Sequence, residues 1–143
     1  MIFDIVTIFP KMVQAPLLEG IVGRAIERGA LQVRVHDLRD FTTDRHRVVD
    51  DVPFGGGPGM VLKPEPLFRA VAKIREDHGE PGAIVLTSPD GAMLTQRVAE
   101  RLRGLHRVVV LCDGKILEDG PPESVLEQPK TERMRTFLQR VMG

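Results

Sequence analysis

The chain has no tryptophan and no tyrosine, and only 6 phenylalanines among its 143 residues. Stacking platforms for unpaired bases are therefore scarce. Its single cysteine, Cys112, excludes an intrachain disulfide framework and a cysteine-rich zinc site. Neither charge is in excess: 20 basic and 20 acidic residues give a formal net charge of 0. No global field attracts nucleic acid, although a local basic patch is compatible with neutrality. No apolar run approaches the roughly 20 residues of a membrane span. The start, Met1-Ile2-Phe3-Asp4, lacks the basic region of a signal peptide, so a cytoplasmic protein is expected. Hydrophobic residues at 42% and charged residues at 28% are the composition of an ordinary globular domain, not of a disordered chain.

What is present alternates strand and helix patterns. Residues 2–9 are apolar and β-branched apart from Asp4 and Thr7, which predicts a buried strand ended by Pro10. Residues 19–29 predict a helix with Ile21, Val22, Ala25 and Ile26 on one face and Gly29 as its stop. Residues 31–38 alternate apolar and polar side chains, a second strand. Residues 64–77 carry Leu67, Val71 and Ile74 at helical spacing. Residues 83–87 predict a third strand, followed by a turn at Pro89-Asp90-Gly91. Thr95 caps a helix through residue 103, and residues 107–112 form a fourth strand buried on both faces. The alternation argues for an α/β fold with a parallel sheet. Ligands of such sheets sit at the carboxyl ends of the strands, here after Thr87 and after Cys112. Past Cys112 the texture changes: a short strand and turn over 114–120, then helices over 121–128 and 130–142, the last with Met134, Phe137, Leu138 and Val141 inward. The division is 1–112 and 113–143.

Residues 39–60 have neither period, and a loop of that length in a compact domain tends to carry function. It joins a charged arm, Asp44-Arg45-His46-Arg47, through Asp50 and Asp51, to the run Pro53-Phe54-Gly55-Gly56-Gly57-Pro58-Gly59. The glycines permit positive φ and close approach to a ligand, and the prolines stiffen the ends. Arg45, His46 and Arg47 suit phosphates; Asp50 and Asp51 suit orienting an arginine or receiving a proton. A solvated surface loop is an equal reading of the same composition. No Lys-Ser/Thr follows the glycines, so this is not a P-loop. The weaker candidates read as structural. His36 and His78 lack ligand partners at metal-site spacing. Ser88 lacks a G-x-S-x-G elbow, which disfavours serine-hydrolase chemistry, but it stands at a strand end where a cofactor can meet backbone amides and carbonyls; Cys112 ends a buried strand, and Glu118-Asp119 reads as a solvated turn.

These pieces carry a resemblance. Ile5-Val6-Thr7-Ile8-Phe9-Pro10, Gly20-Ile21-Val22-Gly23-Arg24-Ala25, the run from Arg39 to Arg47, the run from Val49 to Met60, Leu86-Thr87-Ser88-Pro89-Asp90-Gly91 and Val109-Val110-Leu111-Cys112 occur in the order and spacing of the bacterial tRNA (guanine-37-N1)-methyltransferases. Residues 1 to about 112 resemble the N-terminal part of that family. The resemblance implies a SPOUT-type, trefoil-knotted α/β fold, S-adenosylmethionine as cofactor, tRNA as substrate and a homodimer. It also implies methyl transfer to N1 of the guanine 3′ of the anticodon. Leu86, Thr87, Ser88, Pro89 and Cys112 would then line the cofactor. Arg45, His46, Asp50, Asp51, Pro53, Gly55, Gly56, Pro58 and Gly59 would close the site or meet tRNA.

After Cys112 the chain departs from the family's G-R-Y-E-G-type motif and reads Asp113-Gly114-Lys115-Ile116-Leu117-Glu118-Asp119-Gly120. No residue takes the place of the catalytic base, so an incomplete knot and negligible turnover by this chain alone are expected. Residues 113–142 resemble instead the C-terminal end of polar amino acid ABC-transporter ATPases, through Asp113-Gly114-Lys115-Ile116 and Glu118-Asp119-Gly120-Pro121-Pro122-Glu123 among others. No Walker A loop accompanies them. The alternatives are therefore a non-catalytic RNA-binding or dimerising fragment and an ABC-ATPase-related fragment without ATPase activity.

Overall fold

A computed structural model of the chain describes residues 1–52, 59–111 and 116–120. The elements in order are β1 (Ile2–Thr7), α1 (Pro10–Leu17), α2 (Gly20–Glu27), β2 (Gln32–Asp37), a 3-10 turn (Leu38–Phe41), β3 (Asp50–Asp51), β4 (Val61–Leu62), α3 (Pro64–His78), β5 (Ala83–Ala92), α4 (Gln96–Arg103), β6 (Arg107–Leu111) and β7 (Ile116–Gly120). The main sheet has the order β2-β1-β6-β5-β7. Its first four strands are mutually parallel, and β7 runs antiparallel to β5. The α/β class and the parallel sheet stand, with one antiparallel edge.

Strand pleating sends alternate side chains to opposite faces. On one face Val6, Ile84 and Val109 meet Leu67, Ala70, Val71 and Ile74 of α3, together with Leu38 and Val49. All are buried, and this is the core. On the other face Ala83, Val85 and Val108 are also buried, which accounts for the unbroken apolar runs of β5 and β6. Helix α3 follows from its spacing. Pro64 stands in the first turn, where its missing N–H costs nothing. Gly79 ends it at φ +78°, a conformation that disfavours a side chain.

Three expectations need correction. Pro10 does not merely end β1; it starts α1, a helix the apolar pattern did not show. The run from Ala83 does not stop at Thr87, because β5 continues to Ala92 through an irregular stretch. Glu118 and Asp119 do not form a turn: they lie in β7, in register with Leu86 and Val85. Part of the stretch assigned to the tail is thus an edge of the main sheet. The expected tail helices and the state of the knot fall on residues 112–115 and 121–143, outside the described residues. Among the described residues no helix is long and apolar enough to cross a membrane.

Candidate functional site

Register brings the carboxyl ends of the parallel strands level. Thr7 of β1 pairs with Asp37 of β2, Leu111 of β6 with Val6, and Leu86 of β5 with Leu111. Leu86, Thr87 and Ser88 therefore stand at the carboxyl edge of the sheet, where open α/β sheets bind their ligands. Ser88 is buried, and Leu86 is partly buried against the core cluster. Thr87 and Ala92 both register with Ile116 of β7, so residues 88–91 loop out of the ladder at this edge. Pro89 lies within that excursion. Cys112 lies outside the described residues.

The same edge is tied together by Arg39. Its guanidinium donates to the carbonyl of Ile8 and lies 3.5 Å from the Asp37 carboxylate, while the Asp37 side chain accepts from the Arg39 amide at 2.9 Å. The Arg39 carbonyl accepts from the Thr42 hydroxyl at 2.8 Å and from Arg47 Nε at 3.3 Å. One residue thus links the ends of β1 and β2 to the charged arm. In the sequence Arg39 is marked only as an arginine that follows the expected strand over 31–38.

The arm starts with a turn. The Asp44 carboxylate accepts from the Val48 amide at 3.1 and 3.2 Å, and the Asp44 carbonyl accepts from the Arg47 amide at 3.2 Å. The hydrogen bond from Val48 holds the Asp44 carboxyl below the usual carboxylate range, and Lys63 adds a smaller pull in the same direction. Arg47 pairs with Asp40. Arg45 and His46 are exposed at the tip.

Beyond the turn the arm is pinned at its base. Asp50 pairs with Leu62 and Asp51 with Val61 in the two-stranded sheet β3-β4, and the Lys63 amide donates to the Val49 carbonyl at 2.7 Å. Val49 and Leu62 belong to the same hydrophobic cluster as Ile84 and Leu86. The base of the arm and the tip of β5 are therefore anchored in one core. Gly59 is exposed at φ +103°, as the glycine reading requires. Pro53, Gly55, Gly56 and Pro58 lie outside the described residues.

A cleft of about 430 Å³ opens at the arm's base, lined by Thr42, Thr43, Asp44, Asp51, Lys63 and Arg69 among others. It unites Asp44 and Asp51 and does not include Leu86, Thr87 or Ser88. The site is thus two neighbouring parts: a strand-tip edge, and an arm with its own charged cleft.

His36 belongs to neither. Its Nε2 lies 3.0 Å from Asp4 Oδ1 in the middle of β1, within a cluster that also includes Arg34 and Arg107. The structural reading of His36 stands.

The sequence model of the family described as tRNA (Guanine-1)-methyltransferase TrmD matches residues 1–120. The tRNA (guanine-N(1)-)-methyltransferase of Chloroflexus aurantiacus is 47% identical over 110 residues, 77% of this chain and 44% of that protein. The enzyme of Thermotoga maritima is 48% identical over 108 residues, again 44% of its length. The chain thus spans less than half the length of these curated relatives. The crystal structure of tRNA (m1G37) methyltransferase from Aquifex aeolicus superposes with a TM-score of 0.74 at 36% identity, covering 92% of this chain and 57% of that one. The likeness of residues 113–142 to ABC-transporter ATPases gains no support from these matches.

Proposed function

The chain belongs to the tRNA (guanine-1)-methyltransferase family, and from that premise we propose that it serves S-adenosylmethionine-dependent methylation of tRNA at guanine N1. The observation that supports this reading is the alignment of four parallel strand ends around Leu86, Thr87 and Ser88, with residues 88–91 looped out of the ladder. A looped-out backbone beside a partly buried leucine fits a ligand whose flat base packs on an apolar side chain and hydrogen-bonds to the backbone. Leu86, Thr87, Ser88 and Pro89 would hold the cofactor, which supplies an electrophilic methyl group when bound.

The chain's own residues position the other reactant. Arg45 and His46 at the arm's tip meet tRNA phosphates, and Arg45 suits bidentate contact. Asp50 and Asp51, fixed on β3, orient such cations or accept a proton. Pinning the arm's base in the core beside Leu86 keeps the two reactants' holders in one rigid unit, the precondition for near-attack geometry. Neither the fold nor the relatives support the expectation of inactivity. Two copies per functional unit and a cytoplasmic setting complete the proposal.

The test is equilibrium dialysis of labelled S-adenosylmethionine against the 143-residue protein, with S-adenosylhomocysteine and ATP as competitors. It is paired with methyl incorporation into a transcript bearing guanine or adenine at position 37. Saturable binding displaced by S-adenosylhomocysteine and not by ATP, with incorporation only into the guanine transcript, is the expected result. Absence of saturable binding overturns the proposal.

A further inference from the structure

Between the strand tips and the pinned base of the arm stands the turn over residues 44–48, and its geometry raises a question of charge. Asp44 immediately precedes the Arg-His-Arg cations. A carboxylate facing a phosphate backbone would repel it, so Asp44 weakens RNA contact unless its charge is used elsewhere. In the structure it is used elsewhere: both carboxylate oxygens lie within hydrogen-bond distance of the Val48 amide. The neighbouring cation is spoken for as well. Arg47 pairs with Asp40 and donates to the Arg39 carbonyl at 3.3 Å. It also sits at φ 55°, a left-handed backbone that a non-glycine residue holds only when its surroundings insist on it. The side chains of Arg45 and His46 are exposed, and no described hydrogen bond or ion pair engages them. The turn therefore divides four consecutive polar residues into two that build and two that are presented.

We propose that Asp44 is a positioning residue: its carboxylate closes the turn on Val48 so that Arg45 and His46 are held out together toward the RNA backbone. This rests on tRNA as the substrate of the arm. It assigns Arg45, not Arg47, as the arm's phosphate contact, and it makes Asp44 necessary for RNA binding despite its unfavourable sign.

The experiment is fluorescence anisotropy of a labelled tRNA transcript with the full chain across a salt series. Variants are Asp44→Ala, Asp44→Asn, Arg45→Ala and Arg47→Ala, each checked for an unchanged unfolding midpoint. Arg45→Ala should lower the slope of log affinity against log salt by about 0.7–0.9, one phosphate contact. Arg47→Ala should leave that slope nearly unchanged. Asp44→Ala should weaken binding about fivefold by releasing the turn. Asp44→Asn, which keeps an acceptor oxygen and lacks the charge, should restore most of the affinity. Tighter binding by both Asp44 variants, or equal weakening by both, overturns the positioning role. Unchanged affinity and slope in Arg45→Ala overturns the tRNA reading of the arm, and the inference falls with it.

Discussion

Asp4 is fully buried in the middle of β1, flanked by cations from two other strands. Arg34 of β2 lies 3.6 Å away, His36 of β2 3.0 Å, and Arg107 of β6 3.8 Å. Arg107 in turn donates to the carbonyls of His78 and Gly79 and so holds the C-terminal end of α3. One carboxylate thus fastens three strands, and through Arg107 the main helix. Asp4→Asn keeps the shape and an acceptor for His36 and removes the charge. The arginine contacts are Coulombic at these distances: Asp4 Oδ2, Arg34 Nη1 and Arg107 Nε make no hydrogen bond among the described residues. A unit pair at about 4 Å is worth about 4 kcal/mol at an effective dielectric of about 20. Repulsion between the two arginines and the cost of desolvation offset part of that. Breaking a buried pair costs about 3–5 kcal/mol, and the partial exposure of Arg34 and His36 argues for the lower end. We expect a loss of about 3 kcal/mol, against a total stability of about 5–15 kcal/mol for a domain. Urea unfolding followed by circular dichroism should show a lower midpoint at unchanged slope, and the melting temperature should fall by roughly 9 °C. Arg107→Gln should cost less in the Asp4→Asn background than alone, with a coupling of about 1–3 kcal/mol. A loss below about 1 kcal/mol, or additivity of the two substitutions, refutes the reasoning.

Other expectations follow from single positions. A Cβ at Gly23 would stand 2.5 Å from the Leu18 carbonyl oxygen, which is backbone and cannot step aside, so Gly23→Ala should cost about 1–3 kcal/mol in urea unfolding. The Thr95 hydroxyl caps α4 by accepting from the Val98 amide at 3.4 Å, and Thr95→Ala should cost about 0.5–1 kcal/mol and speed hydrogen exchange in the first turn of α4. Because the Val48 hydrogen bond depresses the Asp44 pKa, the turn's contribution is complete above the ordinary carboxylate pKa and is lost as pH falls through the lowered value. The Val48 amide shift should therefore titrate with a midpoint below about 3.9; a midpoint above it contradicts the assignment. Lys63 is the charged side chain that acts on this carboxylate, and it pulls in the same direction as the Val48 hydrogen bond, so it does not reverse the sign.

Much of the sheet is legible in the sequence because burial on both faces leaves unbroken apolar runs such as Val108-Val109-Val110. Helix α3 is legible because its buried stripe repeats at helical spacing. Helix α1 is not: Pro16 lies inside it, none of its residues is buried, and Met12 is largely exposed. Pro10 reads as a strand terminator, yet a proline is equally at home in a first helical turn. A short strand within 114–120 is legible, but its antiparallel pairing with β5 is not, because the pattern of one strand does not name its partner. Asp4 shows the same limit. In sequence it is a blemish in an apolar run; only register reveals that Arg34 and Arg107 flank it. Of the candidate site, the strand tip at Leu86–Ser88 and the exposed Arg45 and His46 could be read directly. The division of labour within the turn could not, because Asp44 and Val48 are joined by a backbone amide that no residue pattern displays.

The most direct test of the account is an S-adenosylmethionine titration of the isotopically labelled chain, followed by amide chemical shifts. Saturable changes at Leu86, Thr87 and Ser88, with Val49 and Leu62 moving and Asp4, Arg34 and Arg107 still, are the predicted result. Shifts centred on Asp4 and Arg107, or no saturation at any amide, would contradict it.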